Sequence, residues 1–60
     1  MRANAAEELV TISEAARRFA VSRDTIERLI RAGELVAVKV KSRRRVTASS
    51  MQEFVARQTE

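Results

Sequence analysis

The chain has no cysteine, no histidine and no proline, and its one glycine is Gly33. Without cysteine or histidine, neither a disulfide nor a zinc site of the usual ligands can staple it. The same absences remove the commonest catalytic base and the thiol nucleophile. Aromatic residues are limited to Phe19 and Phe54. No apolar run approaches the ~20 residues of a membrane span. Met1-Arg2-Ala3-Asn4 is not followed by the apolar core of a signal peptide. These absences predict a soluble, cytoplasmic chain that does not engage a membrane. The acids Glu7, Glu8, Glu14, Asp24, Glu27, Glu34, Glu53 and Glu60 are scattered, with no evident carboxylate pair. A domain of this size also struggles to enclose a pocket of ~300 Å³. No enzymatic activity, metal or cofactor is expected.

What is present is positive charge. Twelve Lys and Arg stand against 8 Asp and Glu in 60 residues, for a net charge of +4. The sequence pI is about 11.1. Such a balance favours nucleic acid or another anionic partner. A chain this short buries only roughly 60% of its unfolded surface, so its stability rests on one compact apolar core, helped by self-association or by DNA.

Ser22 to Gly33 carries a start signal, a period and a stop signal. Ser22 suits an N-cap. Asp24 complements the positive end of the helix dipole. Ile26, Leu29 and Ile30 share one face by their i, i+3, i+4 spacing. Gly33 can take the left-handed conformation that ends a helix. The opposite face holds Arg23, Asp24, Glu27, Arg28 and Arg31. A short helix with a dry face and an arginine-rich wet face fits a DNA groove.

Residues 1–8 are polar and aperiodic and predict a frayed arm, in which Arg2 either touches a phosphate or stays solvated. Residues 9–57 predict the folded domain, and 58–60 a frayed end. Leu9 to Glu14 reads as the start of a helix, with Thr11 and Glu14 as a capping box and Val10 stapled on Ala15. Ser13 competes as the cap. Ile12, Ala15, Ala16 and Phe19 continue the apolar face, and the two alanines allow close approach of another helix. Ala20-Val21 is a tight turn with Val21 plugging the gap. Two short helices so joined predict a helix-turn-helix.

After Gly33 the period changes to two. Val36, Val38 and Val40 predict a half-buried strand, and Val46 a return to the same sheet face. The pair forms a two-stranded antiparallel hairpin, Val36–Val40 with Arg44–Val46, its tip near Lys41-Ser42-Arg43. No glycine identifies the turn type. A last helix opens near Ser49, which with Gln52 makes a second capping box, and Met51, Phe54 and Val55 close the core. The expected core is Ile12, Phe19, Ile26, Leu29, Ile30, Leu35, Val38, Val46, Met51 and Phe54. The fold class is therefore α+β, a winged helix-turn-helix of two short helices, a hairpin wing and a C-terminal helix.

Thr11-Ile12-Ser13-Glu14-Ala15-Ala16, Val21-Ser22-Arg23-Asp24-Thr25-Ile26, Leu29-Ile30-Arg31-Ala32-Gly33-Glu34-Leu35, Val38-Lys39-Val40 and Arg45-Val46 occur in that order. Together they make the chain resemble the excisionase family, small DNA-binding proteins related to the winged domain of MerR-type regulators. The resemblance covers about Leu9 to Val55. Two positions depart from the family's habit: Val36 stands where Pro is frequent, and Arg44 where an aromatic is frequent. The resemblance implies a phage or prophage recombination directionality factor in a bacterial cell. Such a factor binds tandem sites near an attachment site, bends the DNA and directs an integrase towards excision, with cooperative self-association on DNA. A small transcriptional regulator is the alternative, and a protein-interaction module the third reading.

The N-terminal part of a recognition helix points at base edges. The family's reading positions fall on Asp24 and Arg28. Arg28 suits a bidentate bond to guanine; Asp24 either accepts from a cytosine amine or simply complements the dipole. Ser22 and Thr25 are caps and phosphate donors, Arg31 reaches the backbone, and Arg23 meets phosphate or base. From Leu35 to Gln52 there are five cations and no acid. Arg43 and Arg44 suit a narrow minor groove, and Lys39, Lys41 and Arg45 suit phosphates. Arg17 and Arg18 are candidate backbone contacts from the first helix.

Overall fold

A computed structural model describes residues 7–58 of the chain. The elements run β1 (Leu9–Thr11), α1 (Ile12–Phe19), α2 (Arg23–Arg31), β2 (Ala37–Val40), β3 (Arg43–Thr47) and α3 (Ala48–Gln58). This is the expected α+β winged helix-turn-helix with one addition. The hairpin is joined by β1, giving an antiparallel sheet of order β1-β3-β2. Leu9-Val10-Thr11, expected to lead into a helix, pairs instead with Thr47, Val46 and Arg45. Three residues are too short for a period to show, and the pairing partner is far along the chain.

Local chemistry sets both helices of the motif. The Thr11 hydroxyl accepts from the Glu14 amide at 3.0 Å. The other half of the expected box is absent: the Glu14 carboxylate turns to Arg17 and Arg18. The Ser22 hydroxyl caps α2 by accepting from the Thr25 amide at 3.2 Å. At the far end of α2, the Glu34 amide donates to the Leu29 carbonyl at 2.9 Å and the Gly33 amide to the Ile30 carbonyl at 3.1 Å. That pair of bonds is a Schellman motif with Gly33 at φ +80°. The first helix ends the same way without glycine. Val21 donates to Ala16, Ala20 donates to Arg17, and Ala20 itself sits at φ +59°.

Ile26, Leu35 and Val46 are fully buried, joined by Val10, Ile12, Ala15, Ala16 and Met51. Burying each large side chain contributes about 1.5–3 kcal/mol. Phe19, Leu29, Ile30 and Phe54 pack on this core at half depth. The two phenylalanine rings stack with centroids 5.6 Å apart. Three expectations fail at the margin. Val21 and Val55 are exposed, and Val38 is half-buried outside the core cluster.

The wing has the opposite phase to the one expected. Val46 lies opposite Ala37, and Val38 opposite Arg45. Residues directly opposite share a sheet face. Val10, Ala37 and Val46 therefore face the core, and Val38 and Val40 face outward. Val36 is 52% exposed and Val40 is 40% exposed. A β-branched residue suits an edge strand without being buried.

α3 also starts differently. Thr47 caps it, its hydroxyl accepting from the Ser50 amide at 3.3 Å. Ser49 lies within the first turn, where its amide and hydroxyl both donate to the Glu7 carboxylate. Glu8 accepts from the Ala48 amide through its carbonyl and from Arg18 through its carboxylate. These two residues, expected in a free arm, thus tie the start of the domain to α3 and α1. Arg2 and the rest of the expected arm, residues 1–6, lie outside the described residues, as do 59–60. Gln58, expected to fray, is the last residue of α3, and Arg57 before it donates to Glu34 at 2.8 Å. Among the described residues, no helix is long and apolar enough to cross a membrane.

Candidate nucleic-acid interface

The recognition helix is anchored from below and charged above. Ile26 is fully buried, while Ser22, Arg23, Asp24, Arg28 and Arg31 are exposed and Thr25 and Glu27 half-buried. A spacing of four residues brings Arg23, Glu27 and Arg31 into one row along the helix. Asp24 and Arg28 form the next row, so the two residues predicted to read bases do share a face. The Thr25 hydroxyl is 3.1 Å from that of Ser22, which keeps both at the helix start.

The wing's projection follows from its turn. Val40 pairs with Arg43, so only Lys41 and Ser42 form the loop. Their φ angles are +51° and +69°. Positive φ at both central positions is the signature of a type I′ hairpin, whose twist matches that of the strands. Glycine and asparagine normally supply it. Here Lys and Ser do, which is why the turn could not be typed from sequence. The result is a tight tip that presents Lys41, Ser42 and Arg43 to solvent.

Between α2, the start of α1 and the wing lies an open groove of about 930 Å³. Arg23 and Glu27 line it from the helix, Lys41, Arg43, Arg44 and Arg45 from the wing, and Thr11 and Ser13 from the N-terminal end of α1. Helix and wing thus open onto one shared, strongly polar surface. Asp24, Arg28, Arg31 and Lys39 do not line this groove; nor do Arg17 and Arg18. Thr11 and Ser13 enter the site although charge patterning does not single them out.

One contact links the two halves. Nη2 of Arg44 donates to both oxygens of Glu27 at 2.6 Å. The parity of β3 explains it. Arg44 is two residues from Val46 and shares its inward face, just beyond the edge of the core, so it reaches α2. This hydrogen bond holds the Glu27 carboxyl below the ordinary carboxylate range, against the desolvation that pushes it up; the charges of Arg44, Arg31 and Arg23 add to the lowering. Arg44, expected to enter a minor groove, is bonded to Glu27 in the DNA-free protein. Glu27, expected among the DNA-contacting residues, has both oxygens occupied.

The remaining cations divide cleanly. Arg23, Arg28, Arg31, Lys39, Lys41 and Arg43 form no ion pair with a described residue. Arg45 donates to the Arg44 carbonyl at 3.2 Å. Arg17 and Arg18 are both held by Glu14, and Arg18 also by Glu8. Those hydrogen bonds lower the Glu14 carboxyl below its usual range and raise the Arg18 guanidinium. A backbone contact by either arginine would compete with these bonds.

A family model described as a helix-turn-helix domain matches residues 9–59. No curated protein and no solved structure matches the chain.

Proposed function

The chain belongs to the helix-turn-helix domain family, a family that binds DNA, and we propose that it acts as an excisionase. In that role it binds tandem sites on double-stranded DNA, bends them and turns an integrase towards excision. The shared groove is the observation that carries this reading. It sets a recognition helix and a wing on one surface, where Arg23, Lys41 and Arg43 form no ion pair with a described residue. Arg28 reads guanine, and Asp24 sits beside it to accept from cytosine. Arg23, Arg31, Lys39, Lys41 and Arg45 take phosphates, and Arg43 at the tip enters the minor groove. Charge neutralised along one side of a duplex favours bending towards the protein. The chain catalyses nothing in this scheme and needs no cofactor. Its partners are DNA, further copies of itself along the DNA and the integrase, in the bacterial nucleoid.

The recombination role rests on the resemblance of Thr11–Ala16, Val21–Ile26, Leu29–Leu35 and Arg45-Val46 to excisionases. Footprinting beside an integrase attachment site, with circular-permutation gel shifts, tests it. Contiguous tandem protection with bent complexes supports an excisionase. A single palindromic footprint over a promoter, without bending, replaces it with a transcriptional regulator.

A further inference from the structure

The groove contains one cation that differs from its neighbours. Arg44 is locked to a carboxylate, whereas Arg23, Lys41 and Arg43 around it pair with no described residue. We infer that Glu27 is a positioning residue that acts through Arg44, withholding this guanidinium from the phosphate backbone and so limiting affinity for non-cognate DNA. The inference rests on the DNA-binding role of the groove.

Geometry supplies the argument. Both carboxylate oxygens of Glu27 take the same Nη2 at 2.6 Å, the short distance of a charge-assisted bond. Arg23 and Arg31, one turn away on either side, add positive field at the same carboxylate. Were Arg44 to leave for a phosphate, Glu27 would lose its hydrogen-bonded partner in a groove that DNA must fill, next to the phosphate that had taken that partner. The Glu27 side chain is half-buried, at 24% exposure. The pair therefore enters the complex intact and ties the wing to α2.

Phosphate contacts carry no sequence information. Each one holds the chain on any duplex, including the great excess of non-cognate sites that compete in a genome. A free Arg44 could find a phosphate in many registers, whereas Arg28 is rewarded in one. Keeping Arg44 bound to protein reduces the first kind of binding without touching the second. The neighbouring wing cations Lys41 and Arg43 remain to engage the backbone and the minor groove.

The test is salt-dependent binding of the full chain to a short duplex of mixed sequence. Parent, Glu27→Gln, Arg44→Gln and the double variant are compared after thermal melts confirm that each is folded. The expected result is that the double variant, which removes the pair as a neutral unit, keeps the parent's slope of log affinity against log salt. Glu27→Gln should steepen it by about 0.9, one extra phosphate, which is about a 3.5-fold greater loss of affinity between about 50 and 200 mM salt. Arg44→Gln alone, which leaves the Glu27 charge without its partner, should bind more weakly than the double variant. If the double variant flattens the slope by about 0.9, Arg44 already sits on a phosphate and the inference is overturned. A Glu27→Gln line parallel to the parent overturns it equally. A parent with no affinity for any duplex would instead reject the DNA-binding role itself, a result visible before any variant is made.

Discussion

The Ser50 hydroxyl accepts a hydrogen bond from the Val36 amide at 3.1 Å and donates its own proton to the Thr47 carbonyl at 2.9 Å. It is a buried polar link between the segment that leaves α2 and the cap of α3. Val36 lies just before β2, and Ser50 satisfies its amide. Ser50→Ala should destabilise the domain by about 1–3 kcal/mol, because it strands a partly buried donor. Urea denaturation would check this. A change below a few tenths of a kcal/mol would mean that water replaces the hydroxyl. The same bond explains why this chain has no use for proline at position 36, where the amide is needed.

The two helix ends of the motif make a matched pair. Ala20 and Gly33 occupy equivalent left-handed positions, one with a Cβ and one without. A left-handed L-residue costs roughly 1–2 kcal/mol, part of which glycine returns as chain entropy. Ala20→Gly should therefore raise stability by about 0.5–1 kcal/mol. Gly33→Ala should lower it by about 1 kcal/mol, and by backbone strain alone, since an added Cβ meets nothing within 4 Å. Thermal melts of the two variants should move in opposite directions.

Acid should loosen the brace between wing and helix. The Glu27 carboxyl is held below its ordinary value, chiefly by Arg44. A group whose pKa falls on folding stabilises the fold above its unfolded pKa, about 4.3 for glutamate, and loses that contribution as pH drops through the folded value. The melting-temperature difference between parent and Glu27→Gln should be constant from neutral pH to about 5 and shrink below about 4.3. A difference that grows on acidification would show that Arg44 does not set the titration of Glu27.

Arg28 is exposed on the row beside Asp24 and pairs with no described acid. As a base reader it should contribute about 1–3 kcal/mol of discrimination. Arg28→Ala should weaken binding to the cognate site by about that amount and binding to mixed-sequence DNA far less. Equal losses on both, measured by competition gel shifts, would make Arg28 a backbone contact.

The parts that were legible beforehand are those whose causes are local. Ser22, Ile26, Leu29, Ile30 and Gly33 mark α2 within a dozen residues, and the structure places cap, buried face and stop where those residues predict them. The missed parts depend on distant partners. β1 exists because Val10 finds Val46, and Leu9-Val10-Thr11 contains nothing that announces it. The valines at 36, 38 and 40 alternate as a buried strand would, yet Ala37 is the residue opposite Val46. Register, not composition, decided which face met the core. The same parity carries Arg44 inward to Glu27, a contact open to sequence reasoning only once Val46 is known to face the core. Glu7 at the start of α3 is likewise a tertiary contact without a local signal.

The central claim is that cations of α2 and the wing act together on one duplex, and the salt dependence of binding tests it most directly. With about five phosphates neutralised, log affinity should fall against log salt with a slope of about −4 to −5. A slope near zero, or affinity that survives high salt unchanged, would contradict the joint action of helix and wing.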